Sequence, residues 1–181
     1  VLGIGKTLEE ALYKGMIASG RHFKYPRADK SVGVFISVDR HDLPEVVSLA
    51  KKLDDLHYGL YATEETAGEI ASLGIDVQSI PFADSFALLE SGCISYVVYT
   101  GALLDATLDE YMALNRQALR LSVPCFTSLD TANAAADIIA ARFNENNTEL
   151  VDINHMRREP LRIPFAKMQA TGDDYIVIDN R

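Results

Sequence analysis

Short apolar runs alternate with segments of helical periodicity between residues 31 and 144. The apolar runs predict strands at residues 31–38, 58–62, 77–80, 94–99 and 123–127. Apolar residues that recur every three or four positions predict helices near residues 43–53, 64–73, 86–91, 108–119 and 131–143. Strands that are apolar throughout and alternate with helices are typical of a parallel sheet covered on both faces. The pattern therefore predicts an α/β fold, a doubly wound five-stranded parallel sheet over residues 31–144.

Residues 1–20 carry a helical pattern of their own. Thr7 and Glu10 have the spacing of a capping box, an apolar stripe follows, and Gly20 is a helix-ending residue. The sequence GIGKT at residues 3–7 superficially resembles a phosphate-binding loop, but the first glycine of such a loop would lie before residue 1. We therefore interpret residues 1–20 as a glycine turn and a capped helix, and the basic, proline-containing residues 21–30 as a linker.

The C-terminal segment differs from the predicted domain in composition. Residues 145–162 are polar, charged and proline-containing, which indicates a linker. Residues 163–181 contain two apolar stretches around a Gly-Asp turn, which predicts a two-strand unit. Because this unit follows the last helix of a complete domain, we interpret it as the start of another domain.

Composition and charge narrow the function classes. The chain has 181 residues, is 48% hydrophobic and carries a formal net charge of −9. This acidity argues against nucleic acid or an anionic membrane as partner. The apolar runs are too short for a membrane helix and no signal peptide is visible, so we expect a cytoplasmic location. Cys93 and Cys125 each begin an apolar run and are interpreted as reduced core thiols, and the scattered histidines do not predict a metal site.

The turn between the second predicted strand and its helix is the first candidate site. It reads TEET at residues 63–66. Small ligands bind parallel sheets at the carboxyl ends of the strands, where helix N-termini present free N–H groups. We expect a small-molecule ligand, if one binds, to contact this turn.

The sequence VLGIGKTLEEALYKG at residues 1–15 resembles the end of the second ATP-binding half of the carbamoyl-phosphate synthase large subunit. The sequences FISV (35–38), YATEETA (61–67) and VPCFTSL (123–129) resemble the C-terminal allosteric domain of that subunit, and the likeness covers about residues 1–144. The resemblance implies a methylglyoxal-synthase-like fold with strand order 3-2-1-4-5. It also implies a regulatory domain that binds nucleotides or ornithine and catalyses nothing itself.

The same resemblance implies a parent enzyme. Carbamoyl-phosphate synthase is a ligase that makes carbamoyl phosphate from glutamine, bicarbonate and ATP for arginine and pyrimidine synthesis. The partners that the resemblance implies are the upstream synthase domains and a glutaminase subunit, and whether the chain also forms an oligomer is left open. ATP and a divalent metal belong to the parent enzyme, so we expect no cofactor in this chain.

The tail resembles a different enzyme. The sequence IPFAKMQATGDDYIVID at residues 163–179 is similar to the first strands of diaminopimelate epimerase, which implies a fusion of the two proteins. Asp173 stands where the epimerase has a substrate-binding asparagine. The two catalytic cysteines of the epimerase would lie far downstream, so we expect no epimerase activity from this chain.

The resemblance to the allosteric domain implies five effector-binding residues, namely Ser37, Thr63, Thr66, Thr100 and Thr127. Thr127 matches a threonine that contacts ornithine in the family. Two family lysines are replaced, one by Leu43 and one near Phe82, and the glycine between the threonines of the turn is Glu65, beside Glu64.

These departures leave several ligand classes open. Two carboxylates in the first turn of a helix repel a phosphate that the helix N-terminus would attract. The nucleotide site is then lost or retuned, or it works with other cations such as Lys30 or Arg40, or the effector is cationic or an amino acid.

Two alternative functions of other classes, an enzyme and a domain that joins subunits, also remain open. Methylglyoxal synthase activity requires glycine-rich phosphate loops that this sequence lacks. Asp39 or Asp42 is a candidate base for it, although Asp42 is more simply a helix cap. A domain that holds subunits together without any ligand is the second alternative.

Overall fold

The computed structural model describes residues 1–20, 22–101, 108–144, 146–148, 150–152, 165–170 and 173–179. The described strands are β1 (Leu2–Gly5), β2 (Gly33–Ser37), β3 (Gly59–Ala62), β4 (Gln78–Ser79), β5 (Ile94–Tyr99), β6 (Cys125–Phe126), β7 (Phe165–Ala170) and β8 (Asp173–Asp179). The described helices are α1 (Leu8–Ala18), α2 (Leu43–Asp55), α3 (Glu64–Ala71), α4 (Asp84–Glu90), α5 (Leu108–Arg120) and α6 (Leu129–Ala141). The chain divides into two compact units, one of residues 24–136 and one of residues 1–23 and 137–181.

The larger unit contains a five-stranded parallel sheet with the order β4-β3-β2-β5-β6. Counted within this unit, the order is 3-2-1-4-5, so the predicted fold class and strand order are confirmed. β2 lies at the centre and pairs with β3 and β5. The two outer strands, β4 and β6, are two residues long, shorter than the apolar runs that predicted them.

Burial explains the apolar strands. All six residues of β5 are buried, and so are Val34, Phe35 and Ile36 of β2. Burying an aliphatic or aromatic side chain contributes about 1.5–3 kcal/mol, so the central strands supply much of the stability of this unit. The two cysteines differ in burial, since Cys125 is buried whereas Cys93 is exposed. The prediction that Cys93 is a core thiol was therefore wrong.

A short 3-10 turn of residues Arg40–Asp42 precedes α2 and changes its capping. Asp42 occupies the N-cap position of α2, as predicted, but its side chain makes no capping hydrogen bond. Asp39 caps the 3-10 turn instead, since its carboxylate accepts a hydrogen bond from the backbone N–H of His41 at 3.1 Å. Pro44 lies in the first turn of α2, as predicted.

A pair of buried tyrosines holds the segment that leads into the five-stranded sheet. The hydroxyl of Tyr58 donates to the carbonyl oxygen of Lys24 at 2.8 Å, and the hydroxyl of Tyr96 accepts from the N–H of Lys24 at 2.6 Å. The two rings contact edge to face at 5.9 Å between centroids. Burial raises the pKa of both phenols, to about 12 for Tyr96.

The smaller unit contains a three-stranded sheet of order β1-β8-β7. β7 and β8 pair antiparallel, which confirms the predicted two-strand unit, and β8 also pairs with β1 in parallel. The predicted glycine turn was wrong, because Gly3 and Gly5 lie inside strand β1. A Cβ atom on Gly3 would lie 2.0 Å from the carbonyl oxygen of Ala11, so glycine permits β1 to pack closely against α1.

Helix α1 is capped as the sequence indicates. The hydroxyl of Thr7 accepts from the N–H of Glu10 at 3.2 Å. The carboxylate of Glu10 accepts from the N–H of Lys6 at 2.8 Å and pairs with Lys14 at 2.7 Å. The Glu10 carboxylate thus occupies the place at the N-terminus of α1 where the backbone N–H groups would bind an anion. The predicted boundaries at residues 20, 30, 144 and 162 stay predictions, and most of the predicted linker 145–162 lies outside the described residues.

Candidate functional site

An open groove of about 720 Å³ lies at the carboxyl ends of β2 and β3, beside the start of α3. It is lined by residues of four neighbouring segments: Ser37, Val38, Arg40, Thr63, Glu64, Glu65, Ile80, Pro81, Phe82 and Glu110. An adjoining pocket of about 290 Å³ shares five of these residues and adds Asp39, Tyr99 and Gly101. The groove lies at the edge where parallel sheets bind small ligands and includes Thr63, Glu64 and Glu65 of the candidate turn, while ligand binding there stays a prediction.

Three of the predicted site residues form a hydroxyl cluster at this edge. The hydroxyl of Thr63 lies 3.3 Å from Ser37 Oγ and 3.2 Å from Thr66 Oγ1. Thr66 is fully buried, and its hydroxyl oxygen accepts from the N–H of Val38 at 3.2 Å. Because Thr63 directs its hydroxyl toward this cluster, it makes no side-chain cap to α3. Thr63 and Ser37 line the groove, whereas Thr66 supports it from below.

The hydroxyls of the other two predicted residues are not part of this cluster. Thr100 follows β5, and its hydroxyl accepts from the N–H of Asp39 at 2.8 Å while its own N–H donates to the Ser37 carbonyl at 3.2 Å. Thr100 therefore fixes the turn after β2. Thr127 follows β6 and is not among the described residues that line the groove or the adjoining pocket. The effector-binding roles of all five residues stay predictions.

Carboxylates dominate the charge of the groove. Glu64 and Glu65 occupy the first turn of α3, and Glu110 reaches the groove from α5. The guanidinium Nε of Arg40 donates to Glu65 at 2.7 Å, and both side chains are exposed, by 81% and 54%. The lining formed by the described residues thus contains three glutamates and one arginine, and that arginine donates a hydrogen bond to one of the glutamates. This arrangement disfavours a phosphate and suits a group that carries positive charge.

The turn that carries Arg40 is held by a second local contact. Hydrogen bonds from the His41 ring, at 2.7 Å, and from the His41 backbone hold the pKa of Asp39 below its usual value. The adjoining pocket is therefore lined by a further ionised carboxylate, that of Asp39.

The two positions at which the resemblance implies lost lysines, Leu43 and the neighbourhood of Phe82, lie in different places. Phe82 lines the groove and its ring contacts Phe35, Phe86 and Tyr99 at 5.7–6.3 Å between centroids. Leu43 begins α2 and does not belong to the described lining.

Of the two substitute cations that the sequence suggested, one lies at the groove. Arg40 lines it, whereas Lys30 pairs with Asp54 at 2.8 Å and with Asp76 at 3.6 Å, and is not part of the described lining. The hydrogen bond that the Lys30 ammonium donates to the Asp54 carboxylate raises the pKa of Lys30. The sequence did not predict the ion pair of Arg40 with Glu65 or the contribution of Glu110 to the groove, because both bring together residues that are far apart in the chain.

The described residues contain no group of three or more His, Cys, Asp or Glu side chains arranged to hold a metal ion. Among the helices that the structure describes, none combines the length and the apolar character needed to cross a membrane.

Comparison with known proteins gives three findings. Residues 45–127 match the family model of the MGS-like domain. The carbamoyl phosphate synthase large chain of Thermoanaerobacter sp. (strain X514) is 32% identical over 154 residues, and that of Clostridium beijerinckii is 28% identical over 151 residues. These matches cover 85% and 81% of this chain, and the chain spans 14% of the length of either relative. A methylglyoxal synthase from Elizabethkingia anophelis superimposes with a TM-score of 0.46 at 15% identity, covering 73% of this chain and 95% of that one.

Proposed function

From the premise that residues 45–127 are an MGS-like domain homologous to the regulatory region of the carbamoyl phosphate synthase large chain, we propose that this chain is an effector-binding regulatory region of such a synthase. The synthase domains upstream and a glutaminase subunit are then its partners, and it acts in the cytoplasm on arginine and pyrimidine synthesis. ATP and the divalent metal belong to the catalytic domains. The tail is in this proposal the first part of a fused diaminopimelate epimerase.

The acidic groove beside α3 carries the proposal, and it specifies the kind of effector. The groove is open, lies at the carboxyl edge of the sheet and presents the hydroxyls of Ser37 and Thr63. Glu64 and Glu65 take the place that a phosphate would occupy at the start of α3. The carboxylates attract the amino group of an effector such as ornithine, whereas they repel the phosphate of a nucleotide.

The Arg40–Glu65 ion pair sets the expected affinity for nucleotides. A phosphate that approaches Arg40 competes with Glu65, which already holds the guanidinium at 2.7 Å. Tight nucleotide binding needs several charge-assisted hydrogen bonds of about 1.5–3 kcal/mol each, and among the described residues the groove offers one arginine for them. We expect uridine and inosine monophosphate to bind with millimolar or weaker affinity, about −4 kcal/mol.

Calorimetry with one pair of ligands and one pair of variants tests the proposal. Uridine monophosphate and ornithine are titrated into the 181-residue chain, into Glu65→Gln and into Glu69→Gln. Glu69 is an exposed glutamate of the same helix outside the described lining, so it is the matched control. Glu65→Gln releases Arg40 and removes a carboxylate. This substitution should raise the affinity for uridine monophosphate about three- to tenfold and lower the affinity for ornithine by a similar factor, since exposed ion pairs contribute about 1 kcal/mol.

The outcomes separate the alternatives. Micromolar uridine monophosphate binding to the natural sequence would mean that the glutamates do not exclude phosphate. Binding of neither ligand, in the natural sequence or the variants, would refute an effector site in this groove and favour a domain that only joins subunits.

A further inference from the structure

The chain passes from the smaller unit to the larger unit at residues 23 and 24. Residues 24–30, which we call the strap, then lead toward β2. Both polar groups of the Lys24 backbone are bonded, because its N–H donates to the hydroxyl of Tyr96 at 2.6 Å and its carbonyl oxygen accepts from the hydroxyl of Tyr58 at 2.8 Å. Both tyrosines are buried. Since a buried polar group without a partner costs about 1–3 kcal/mol, these two phenols stabilise the closed strap.

The other end of the strap is held as well. The ammonium of Lys30 donates to the carboxylate of Asp54 at 2.8 Å, in the last turn of α2. Within the strap, the N–H of Lys30 donates to the carbonyl oxygen of Arg27 at 2.9 Å, which closes a turn. The strap is therefore bonded to the larger unit at both of its ends.

The two tyrosines belong to strands that end at the groove. Tyr58 directly precedes β3, and the carboxyl end of β3 leads into Thr63 of the groove lining. Tyr96 lies in β5, whose last residue, Tyr99, lines the adjoining pocket. In the sheet, β3 and β5 lie on either side of β2. The hydrogen bonds of Lys24 therefore depend on the spacing of two strands whose opposite ends form the candidate site.

We propose that the strap is the output of the groove, with Tyr58 and Tyr96 as the positioning residues that connect the two. A ligand that contacts both Thr63 and the end of β5 changes the spacing of β3 and β5. The two hydrogen bonds to Lys24 respond, because a hydrogen bond depends steeply on its distance and angle. This inference rests on the effector site proposed above and adds the route by which a bound effector reaches the segment between the units.

Hydrogen exchange of the Lys24 amide in the 181-residue chain tests the route, with ornithine and uridine monophosphate as the probes. Saturation with a probe that binds should change the exchange rate of this amide about fivefold or more relative to that of the Gly33 amide. Gly33 begins β2 at the same end of the sheet, and its N–H donates to the Cys93 carbonyl oxygen at 2.7 Å. The Gly33 amide therefore reports the general stabilisation that any bound ligand brings.

A variant of the clamp tests the same coupling from the other side. Tyr96→Phe removes the acceptor of the Lys24 N–H and should speed its exchange about tenfold or more without any ligand. By thermodynamic reciprocity it should also shift the dissociation constant of the probe, by up to the factor by which that probe changes the exchange of Lys24. Tyr61→Phe is the matched control, because Tyr61 is a half-buried tyrosine of β3 outside this clamp, and it should change neither quantity. Circular dichroism verifies folding, and Tyr58→Phe serves as a second clamp variant if Tyr96→Phe does not fold.

The outcomes separate the route from the effector site. If a probe binds but changes the exchange of Lys24 no more than that of Gly33, the route is overturned and the effector site stands. A dissociation constant or a Lys24 exchange rate that Tyr96→Phe leaves unchanged overturns the role of the tyrosines. Binding of neither probe refutes the effector site, and the route falls with it.

Discussion

The buried hydroxyl of Thr66 should hold the turn that carries Arg40. Thr66→Val keeps the shape of the side chain but removes the oxygen that accepts from the N–H of Val38 at 3.2 Å. It also removes one of two oxygens near the hydroxyl of Thr63. A buried donor that loses its acceptor costs about 1–3 kcal/mol. Val38 is half-buried and lines the groove, where water can replace part of the bond, so we expect about 1–2 kcal/mol.

Hydrogen exchange of the Val38 amide measures this effect locally. A loss of 1–2 kcal/mol corresponds to exchange that is about 5- to 30-fold faster, at one amide rather than across the sheet. Thr66→Ser is the matched control, because it keeps the acceptor and removes a methyl group. It should lower the global free energy of unfolding by about 1 kcal/mol without singling out the Val38 amide. An exchange rate at Val38 that Thr66→Val leaves unchanged would refute the role of this hydroxyl.

Two further predictions concern stability. Gly3→Ala should lower the free energy of unfolding by about 1–3 kcal/mol or more, because the new Cβ would lie 2.0 Å from the Ala11 carbonyl oxygen. Gly68→Ala is the control, since Gly68 lies in α3 with open space around it, and it should raise the free energy of unfolding by up to about 1 kcal/mol. Equal effects of the two variants in urea titrations would contradict the packing described for β1. Stability should also fall at alkaline pH, because burial raises the pKa of Tyr96 from 10 to about 12 and raises that of Tyr58 as well. The contribution of these phenols to stability is therefore complete below about pH 10 and is lost as the pH rises toward 12. Tyr58→Phe and Tyr96→Phe should reduce this loss in urea titrations between pH 8 and 11, and an unchanged pH dependence in both variants would show that other groups cause it.

The parallel sheet was predictable because its signals are local. The run of residues 94–99, apolar except for Ser95, predicts the buried strand that the structure contains at the same bounds. The strand order came from the family resemblance, since periodicity alone does not tell which strands are neighbours. The two-residue strands β4 and β6 were overestimated, because an apolar run shows burial and not how many residues pair.

The missed features depend on contacts between distant segments. The strand character of residues 2–5 depends on pairing with β8, more than 170 residues away, and two of its four residues are glycine, which is weak in isolated strands. Asp42 stands at the N-cap position of α2 as its local pattern predicts, but the side-chain capping hydrogen bond of this region comes from Asp39, which caps the 3-10 turn before α2. The composition of the groove escaped for the same reason, because Glu110 is distant from Glu65 in sequence.

Helix α5 joins the groove to the hydrophobic core of the larger unit. Glu110 lines the groove, and the ring of Tyr111 stacks on Tyr99, which lines the adjoining pocket, while Leu114 and Ala118 further along the helix are fully buried. A ligand that binds the groove only in the folded state stabilises that state by mass action, by about 2.7 kcal/mol at a concentration one hundred times its dissociation constant. Filling the groove would then protect the core from proteolysis, and the lifetime of the protein would rise with the concentration of the ligand.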